Sequence, residues 1–208
     1  LQGKLYLVTL FIISLLMSFL IVKNLDKNFL INTILIGSAF YLFLITIRDF
    51  FLKKFENLEQ NVAHFGFSLL ILSILFNNIF SNELITNLKV GESFKNEKFE
   101  ITFIDLKKFK EKNYISFRGN FSIKENKKKE DRLEPELRVY NQPNIITSEA
   151  DIKTTFFTDK FITINTVQNE EYFNIRYQVK PFMFWIWVSV LLISLGGLIS
   201  LFKKKYEN

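Results

Sequence analysis

Val62-Ala63-His64-Phe65-Gly66-Phe67-Ser68-Leu69-Leu70-Ile71-Leu72-Ser73-Ile74-Leu75-Phe76-Asn77-Asn78-Ile79-Phe80 carries no formal charge over its whole length. A helix needs ~20 mostly apolar residues to cross ~30 Å of hydrocarbon, so this stretch is long enough to span a membrane. Three more uncharged runs, Leu5 to Val22, Phe29 to Ile47 and Phe182 to Phe202, have similar length. Composition agrees, with 49% hydrophobic residues and 25 phenylalanines in 208. The fold class is therefore a polytopic α-helical membrane protein with four transmembrane helices. The first run is too long for the core of a cleaved signal. Leu1 is not an initiator methionine, and the chain is expected to be the back end of something longer.

Between Glu83 and Lys180 the composition changes, with 18 lysines and arginines against 16 carboxylates and no apolar run of membrane length. About 100 residues suffice for one small domain with its own core. The expected organisation is three membrane helices within 1–81 (about 5–22, 29–47 and 62–80), a β-rich domain over 82–180, a last helix over 181–202 and a basic tail over 203–208. Lysine and arginine in short loops favour the cytoplasmic side. Arg48, Lys53 and Lys54 in one loop, and Lys203, Lys204 and Lys205 after the last run, put residues 83–180 on the outer side. Lys23 and Lys27 then fall outside, against the trend. The net charge of +6 is mostly accounted for by this topology, and no basic stripe interleaved with aromatics points to nucleic acid. With no cysteine, the chain can hold no disulfide, thiolate nucleophile or thiolate zinc site.

The outer segment alternates with a period near two at Phe99 to Leu106, Tyr114 to Ile123, Lys160 to Val167 and Tyr172 to Val179. Turn residues stand at Gly91, Asn96 and Gly119-Asn120, which predicts a small antiparallel barrel or sandwich. Lys124 to Arg132 reads as a solvated hairpin tip. In Glu134-Pro135-Glu136-Leu137-Arg138-Val139-Tyr140, alternation places Glu136, Arg138 and Tyr140 on one face, and Pro135 suits a strand start or an edge. Such a Glu and Arg can pair along the strand or meet a partner's charges.

His64 is the only histidine. An ionisable side chain within a membrane span is a functional hypothesis by default, because it is costly to leave in hydrocarbon. The alternative is a histidine that satisfies a buried hydrogen bond. Gly66 lies ~200° around the helix from His64, which suits close helix packing. In the last run, Trp185 and Trp187 match an interfacial belt, and Gly196 and Ser200, with Ser189 two turns earlier, would let another helix approach.

Taken in order, these segments resemble a known family. Val62-Ala63-His64-Phe65-Gly66 resembles the Leu-Ala-His-x-Gly transmembrane motif of CcmF, the haem lyase subunit of cytochrome c maturation. The Val90-Gly91-Glu92 turn, Pro135 to Tyr140, Ser148-Glu149-Ala150, Lys180-Pro181-Phe182, Trp185-Ile186-Trp187 and Leu195-Gly196-Gly197 follow in the family's order. The resemblance covers roughly the C-terminal third of the family's usual length, without its tryptophan-rich haem-handling segment or its other haem-ligating histidines.

The resemblance implies that His64 is an axial ligand to the iron of a b-type haem. Gln60, Asn61, Phe67 and Ser68, on the same helical face, become candidates for the pocket wall. It implies an enzyme, a haem lyase joining haem to a Cys-x-x-Cys-His apocytochrome, of which this chain alone would be an incomplete and inactive part. Its expected partners are haem, apocytochrome c, the haem chaperone and apocytochrome-binding subunits of the maturation system, and a quinol among candidate reductants. Glu136, Arg138 and Tyr140 are the expected partner-contact face. The expected location is the bacterial inner membrane with residues 83–180 periplasmic, the mitochondrial inner membrane being the alternative. The competing function is a non-enzymatic membrane-anchored assembly module whose outer β domain binds a partner.

Overall fold

The computed structural model describes residues 2–23, 28–52, 57–125, 130–167 and 171–206, the side chains at 2–4 and 203–206 apart. Leu1, Lys27, Lys53, Lys54, residues 126–129 of the basic hairpin tip and the side chains of the tail lysines lie outside the described residues. The chain divides into two units, residues 1–80 with 181–208, and residues 81–180.

The first unit is helical: α1 (Gln2–Val22), α2 (Phe29–Leu52), α3 (Leu58–Phe80) and α4 (Met183–Tyr206). All four are long and apolar enough to cross a membrane. The helices outrun the uncharged stretches that mark them in the sequence. α2 continues through Arg48, whose guanidinium lies 5.0 Å from the centre of the Tyr6 ring on α1. A charge near a helix end can rest on an aromatic face at the interface, so the end of an apolar run is not the end of the helix. Asn28 and Asn57, at φ 54° and 55°, precede α2 and α3. Their carbonyls accept from the amides of Asn32 at 2.9 Å and Asn61 at 3.0 Å, and asparagine tolerates this left-handed geometry.

Successive helices pack on one another, α1 on α2, α2 on α3 and α3 on α4. Lipid tails are as apolar as leucine, so close packing and polar contacts have to hold such helices together. Ser18 Oγ donates to the Thr33 carbonyl at 2.6 Å across α1 and α2. The Thr46 and Ser68 hydroxyls meet at 2.9 Å across α2 and α3. On α3 and α4 two glycines make the approach possible. A Cβ on Gly66 would sit 2.9 Å from Leu192 Cβ and 3.0 Å from both Ser189 O and Ile193 N. A Cβ on Gly196 would sit 2.7 Å from Glu59 O and 2.8 Å from Ala63 N and Cβ, whereas one on Gly197 would meet nothing within 4 Å. Trp187 is exposed, while Trp185 is half-buried beside Phe184.

The second unit is a sandwich of two antiparallel sheets. Its strands are β1 (Asn82–Leu88), β2 (Ser93–Lys95), β3 (Phe99–Lys110), β4 (Tyr114–Glu125), β5 (Asp131–Leu133), β6 (Glu136–Asn141), β7 (Asn144–Glu149), β8 (Asp151–Thr154), β9 (Thr158–Thr166) and β10 (Phe173–Pro181). One sheet runs β1-β10-β9-β8; the other runs β2-β3-β4-β6-β7, with β5 also on β4. Alternation sends Ile101 and Phe103 of β3, Phe121 and Ile123 of β4, Leu137 of β6, Ile162 and Ile164 of β9 and Ile175 and Tyr177 of β10 into one core. The Phe103 and Phe121 rings stack there at 4.4 Å. Burial of this contiguous apolar face is what closes the two sheets on each other.

Pro135 stands immediately before β6, as a strand start requires, but β6 is not an edge strand: it pairs with β4 on one side and β7 on the other. The missing proline amide therefore falls outside the ladder, and no edge is needed to tolerate it.

Candidate functional site

α3 is paved unevenly. Toward α2 it buries Ser68, whose hydroxyl also donates to the Phe65 carbonyl at 2.9 Å. Asn61 is buried at 8% exposure. Toward α4 it offers Gly66 and Ala63. The remaining face is open and carries Gln60, His64, Phe67, Ile74 and Asn78. Three of these five are polar, unlike the open face of α1, where Leu5, Val8, Ile12, Leu16 and Phe19 are exposed. Among the described residues, the His64 imidazole forms no hydrogen bond or ion pair.

The five residues that share a face in the sequence are thus divided by the structure. Gln60 and Phe67 stay with His64 on the open side, whereas Asn61 and Ser68 are turned into the helix contact. All four lie within ~60° of His64 by helical periodicity, two to each side. Packing covers one side only, and Gln60 and Phe67 are the two of the four that stay exposed with His64. The other reading of His64, a histidine satisfying a buried hydrogen bond, finds no such bond among the described residues. The donor set fits a haem iron: an outward imidazole lone pair, flanked one turn away on either side by an amide and an aromatic ring.

The second candidate region is the outer face of β6. Antiparallel register sets Arg118 opposite Glu136, Ser116 opposite Arg138 and Tyr114 opposite Tyr140. Arg118 Nη2 stands 2.6 Å from Glu136 Oε1, and Arg138 Nε stands 3.1 Å from Glu136 Oε2. The Arg138 guanidinium lies 5.2 Å from the Tyr114 ring centre, and the Tyr114 and Tyr140 rings are 5.2 Å apart. Burial would push the Glu136 carboxyl up, but the bonds from Arg118 and Arg138 outweigh it and hold it below the usual glutamate value. The pairing along the strand that the sequence allowed is therefore formed. Arg118, Tyr114 and Glu149 join the face from β4 and β7, which single-strand alternation does not reveal.

A third cluster was missed in the sequence. Lys160, on β9, is 9% exposed and holds Glu125 Oε1 at 2.7 Å and Asp131 Oδ2 at 2.6 Å across the sandwich. Tyr177 donates to Glu125 at 3.2 Å, and Lys153 also pairs with Asp131. Lys160 is in phase with the buried Ile162 and Ile164. That phase was a usable signal for an inward lysine, which must find carboxylates.

Fold and site together define a multi-pass membrane protein that carries a β-sandwich before its last span and a lone histidine on an open helix face. Residues 79–181 match the family described as the CcmF C-terminal β-sandwich. The cytochrome c-type biogenesis protein CcmF of Haemophilus influenzae is 28% identical over 70% of this chain and 22% of its own length. That of Escherichia coli is 29% identical over 70% of this chain and 23% of its own. A solved structure described as cytochrome c heme lyase CcmF is similar at TM-score 0.67 over 92% of this chain and 33% of that one, at 18% identity, a likeness of fold. Residues 79–181 thus carry the β-sandwich of that family, and the chain as a whole is similar to CcmF proteins. It spans about a fifth of the length of these curated relatives.

Proposed function

We propose that this chain is the C-terminal portion of a cytochrome c haem lyase, located in the inner membrane with residues 83–180 on the periplasmic side. The observation that carries the reading is the outward imidazole of His64 on the most polar open face among these helices. His64 would hold the iron of a b-type haem, with Gln60 and Phe67 as the side chains beside it. When bound, the haem supplies a redox-active iron whose potential its surroundings tune. The protein's own contribution is to orient the ring. Gly66 and Ala63 hold α3 tightly to α4, and Ser68 ties it to α2, so the face bearing His64 is held in one rotation. His64 would supply a single imidazole to the iron. The assembled lyase would join haem to the two thiols of a Cys-x-x-Cys-His apocytochrome, in company with the other maturation subunits. The Glu136, Arg138 and Tyr140 face is the surface proposed to meet them.

The test is His64→Ala in the complete protein, read by haem absorption and by cytochrome c yield. Both should fall together while the protein still accumulates in the membrane. Full haem occupancy with an unchanged spectrum would refute the assignment and favour a membrane-anchored assembly module.

A further inference from the structure

β7 closes the six-stranded sheet on one side, so the amides and carbonyls of alternate residues along it point away from β6 with no further strand of the sheet to meet. Edges of this kind are normally blunted by brevity, lysine or proline, because they are ready to pair with another chain. β2 has three residues and ends on Lys95, and β8 has four with Lys153 among them. β7 is longer, and Asn144-Ile145-Ile146-Thr147-Ser148 carries neither charge nor proline. Ile145 and Ile146 are adjacent, hence on opposite faces, yet they stand open at 49% and 56% exposure. The first half of the strand is therefore uncovered on both faces.

A cavity opens beside that edge. β8 pairs with β9 only as far as Ile162, which leaves the later part of β9 without a strand on this side. β7 meets β9 where Ser148 Oγ donates to the Ile164 carbonyl at 2.7 Å. Toward Ile146 and Thr166 the two strands part over a cavity of about 230 Å³, whose walls include Leu106, Phe117, Val139 and Phe173. An apolar cavity of ~150 Å³ already admits a benzene ring, so this one has room for a leucine or phenylalanine side chain. On the opposite face, register sets Arg138 beside Thr147 of β7. Its Nη1 stands 3.9 Å from Glu149 of β7, beyond hydrogen-bond range, so the guanidinium leans toward this edge with donor capacity to spare. Charge and shape together describe one occupant, an extended strand that turns an apolar side chain inward and a carboxylate outward at neighbouring positions.

We infer that β7 is a docking edge where an extended, acidic segment of a partner polypeptide adds a strand to the sheet, seating one apolar side chain in the cavity and a carboxylate at Arg138. This holds whether or not His64 binds haem, because it rests on the sandwich alone. A fluorescent peptide alternating leucine with glutamate and threonine would be titrated onto the full chain in nanodiscs, beside its fully N-methylated twin, which has no amide to donate. Strand addition predicts saturable binding and slowed hydrogen exchange of β7 amides, both absent with the twin. Ile146→Lys and Arg138→Gln should each weaken binding roughly tenfold, the Arg138 effect vanishing for a peptide with glutamine in place of glutamate. Hydrogen exchange of β3 and β4 unchanged from wild type shows that the variants are folded. Absence of binding overturns the proposal, as does equal binding of the N-methylated twin. So does β7 protection that grows with protein concentration before peptide is added, which would mean that a second copy takes the edge.

Discussion

The approach of α3 to α4 is close enough that single methyl groups should be felt, and their sizes can be worked from the contacts. Gly196→Ala places a Cβ at 2.7 Å from Glu59 O and 2.8 Å from Ala63 N, both backbone atoms that cannot rotate away. Ordinary contact begins near 3.5 Å, so one helix must retreat by several tenths of an ångström along the seam. Overpacking of this kind costs about 1–3 kcal/mol. Gly66→Ala meets Ser189 O and Ile193 N at 3.0 Å, with Leu192 Cβ at 2.9 Å. It belongs in the same range, toward the lower end. Gly197→Ala is the internal control, since its Cβ would find nothing within 4 Å and alanine is the better helix former by up to ~1 kcal/mol. Reversible unfolding of the chain in mixed micelles, with the α3–α4 separation as the signal, should rank stability as Gly197→Ala at or above wild type, then Gly66→Ala, then Gly196→Ala. In the complete protein, Gly196→Ala should also lower haem content, because the rotation of α3 aims His64. Equal effects at 196 and 197 would refute the packing argument.

The Lys160 cluster and the β6 face give two further expectations. Lys160→Met leaves Glu125 and Asp131 buried without their shared cation and should cost the sandwich about 3–5 kcal/mol, seen as hydrogen exchange of β4 and β9 amides at least a hundredfold faster. The same cluster sets a pH window. Burial would raise the Asp131 carboxyl, yet the bonds from Lys153 and Lys160 hold it below its ordinary 3.8, so its stabilisation is present above that value and lost as pH falls through the folded-state pKa. Burial would lower the Lys160 ammonium, yet Asp131 and Glu125 hold it above its ordinary 10.5, so its contribution is present below that value and lost as pH rises through the folded-state pKa. A melting temperature flat between these limits, falling outside them and losing the acid limb in Asp131→Asn, would bear this out. Arg138→Ala should weaken association with the other maturation subunits, measured by co-purification, while leaving the helical unit's stability unchanged; unaltered association would remove β6 as the contact face.

Much of the architecture was legible in the sequence because it rests on patterns that neighbours reinforce. The uncharged runs gave all four helices, and the alternation at Phe99 to Leu106 and Tyr114 to Ile123 gave the two long central strands. What escaped had no such pattern. β7 sets Ile145 and Ile146 next to each other, both exposed, and β1 alternates inward and outward but puts Ile85 on the outward phase, so in neither does hydrophobicity mark the buried face. Boundaries escaped as well, since Arg48 continues α2 by resting on a ring of another helix. The His64 face shows the same limit. Periodicity collects Gln60, Asn61, Phe67 and Ser68 around it, but only tertiary packing, such as the Thr46 hydroxyl of α2 on Ser68, decides that Ser68 and Asn61 are covered while Gln60 and Phe67 are not.

The way the β domain is inserted bears on how α3 can leave His64 uncovered. β1 and β10 are adjacent and paired from Asn82 to Leu88, so the inserted domain returns the chain to within one strand spacing of where it left. An insertion whose ends coincide makes no demand on the separation of the helices it interrupts. α3 and α4 can then approach as closely as two glycine notches permit, and they do so on the sector of α3 that holds Ala63 and Gly66, with α2 taking the sector of Ser68. A helix has only ~360° to distribute, and these two contacts consume the sectors on either side of one remaining stripe. His64 lies on that stripe, at its margin with α2. The helix is thus fixed in rotation by contacts that leave its imidazole uncovered, which is the condition a ligand to an external iron requires.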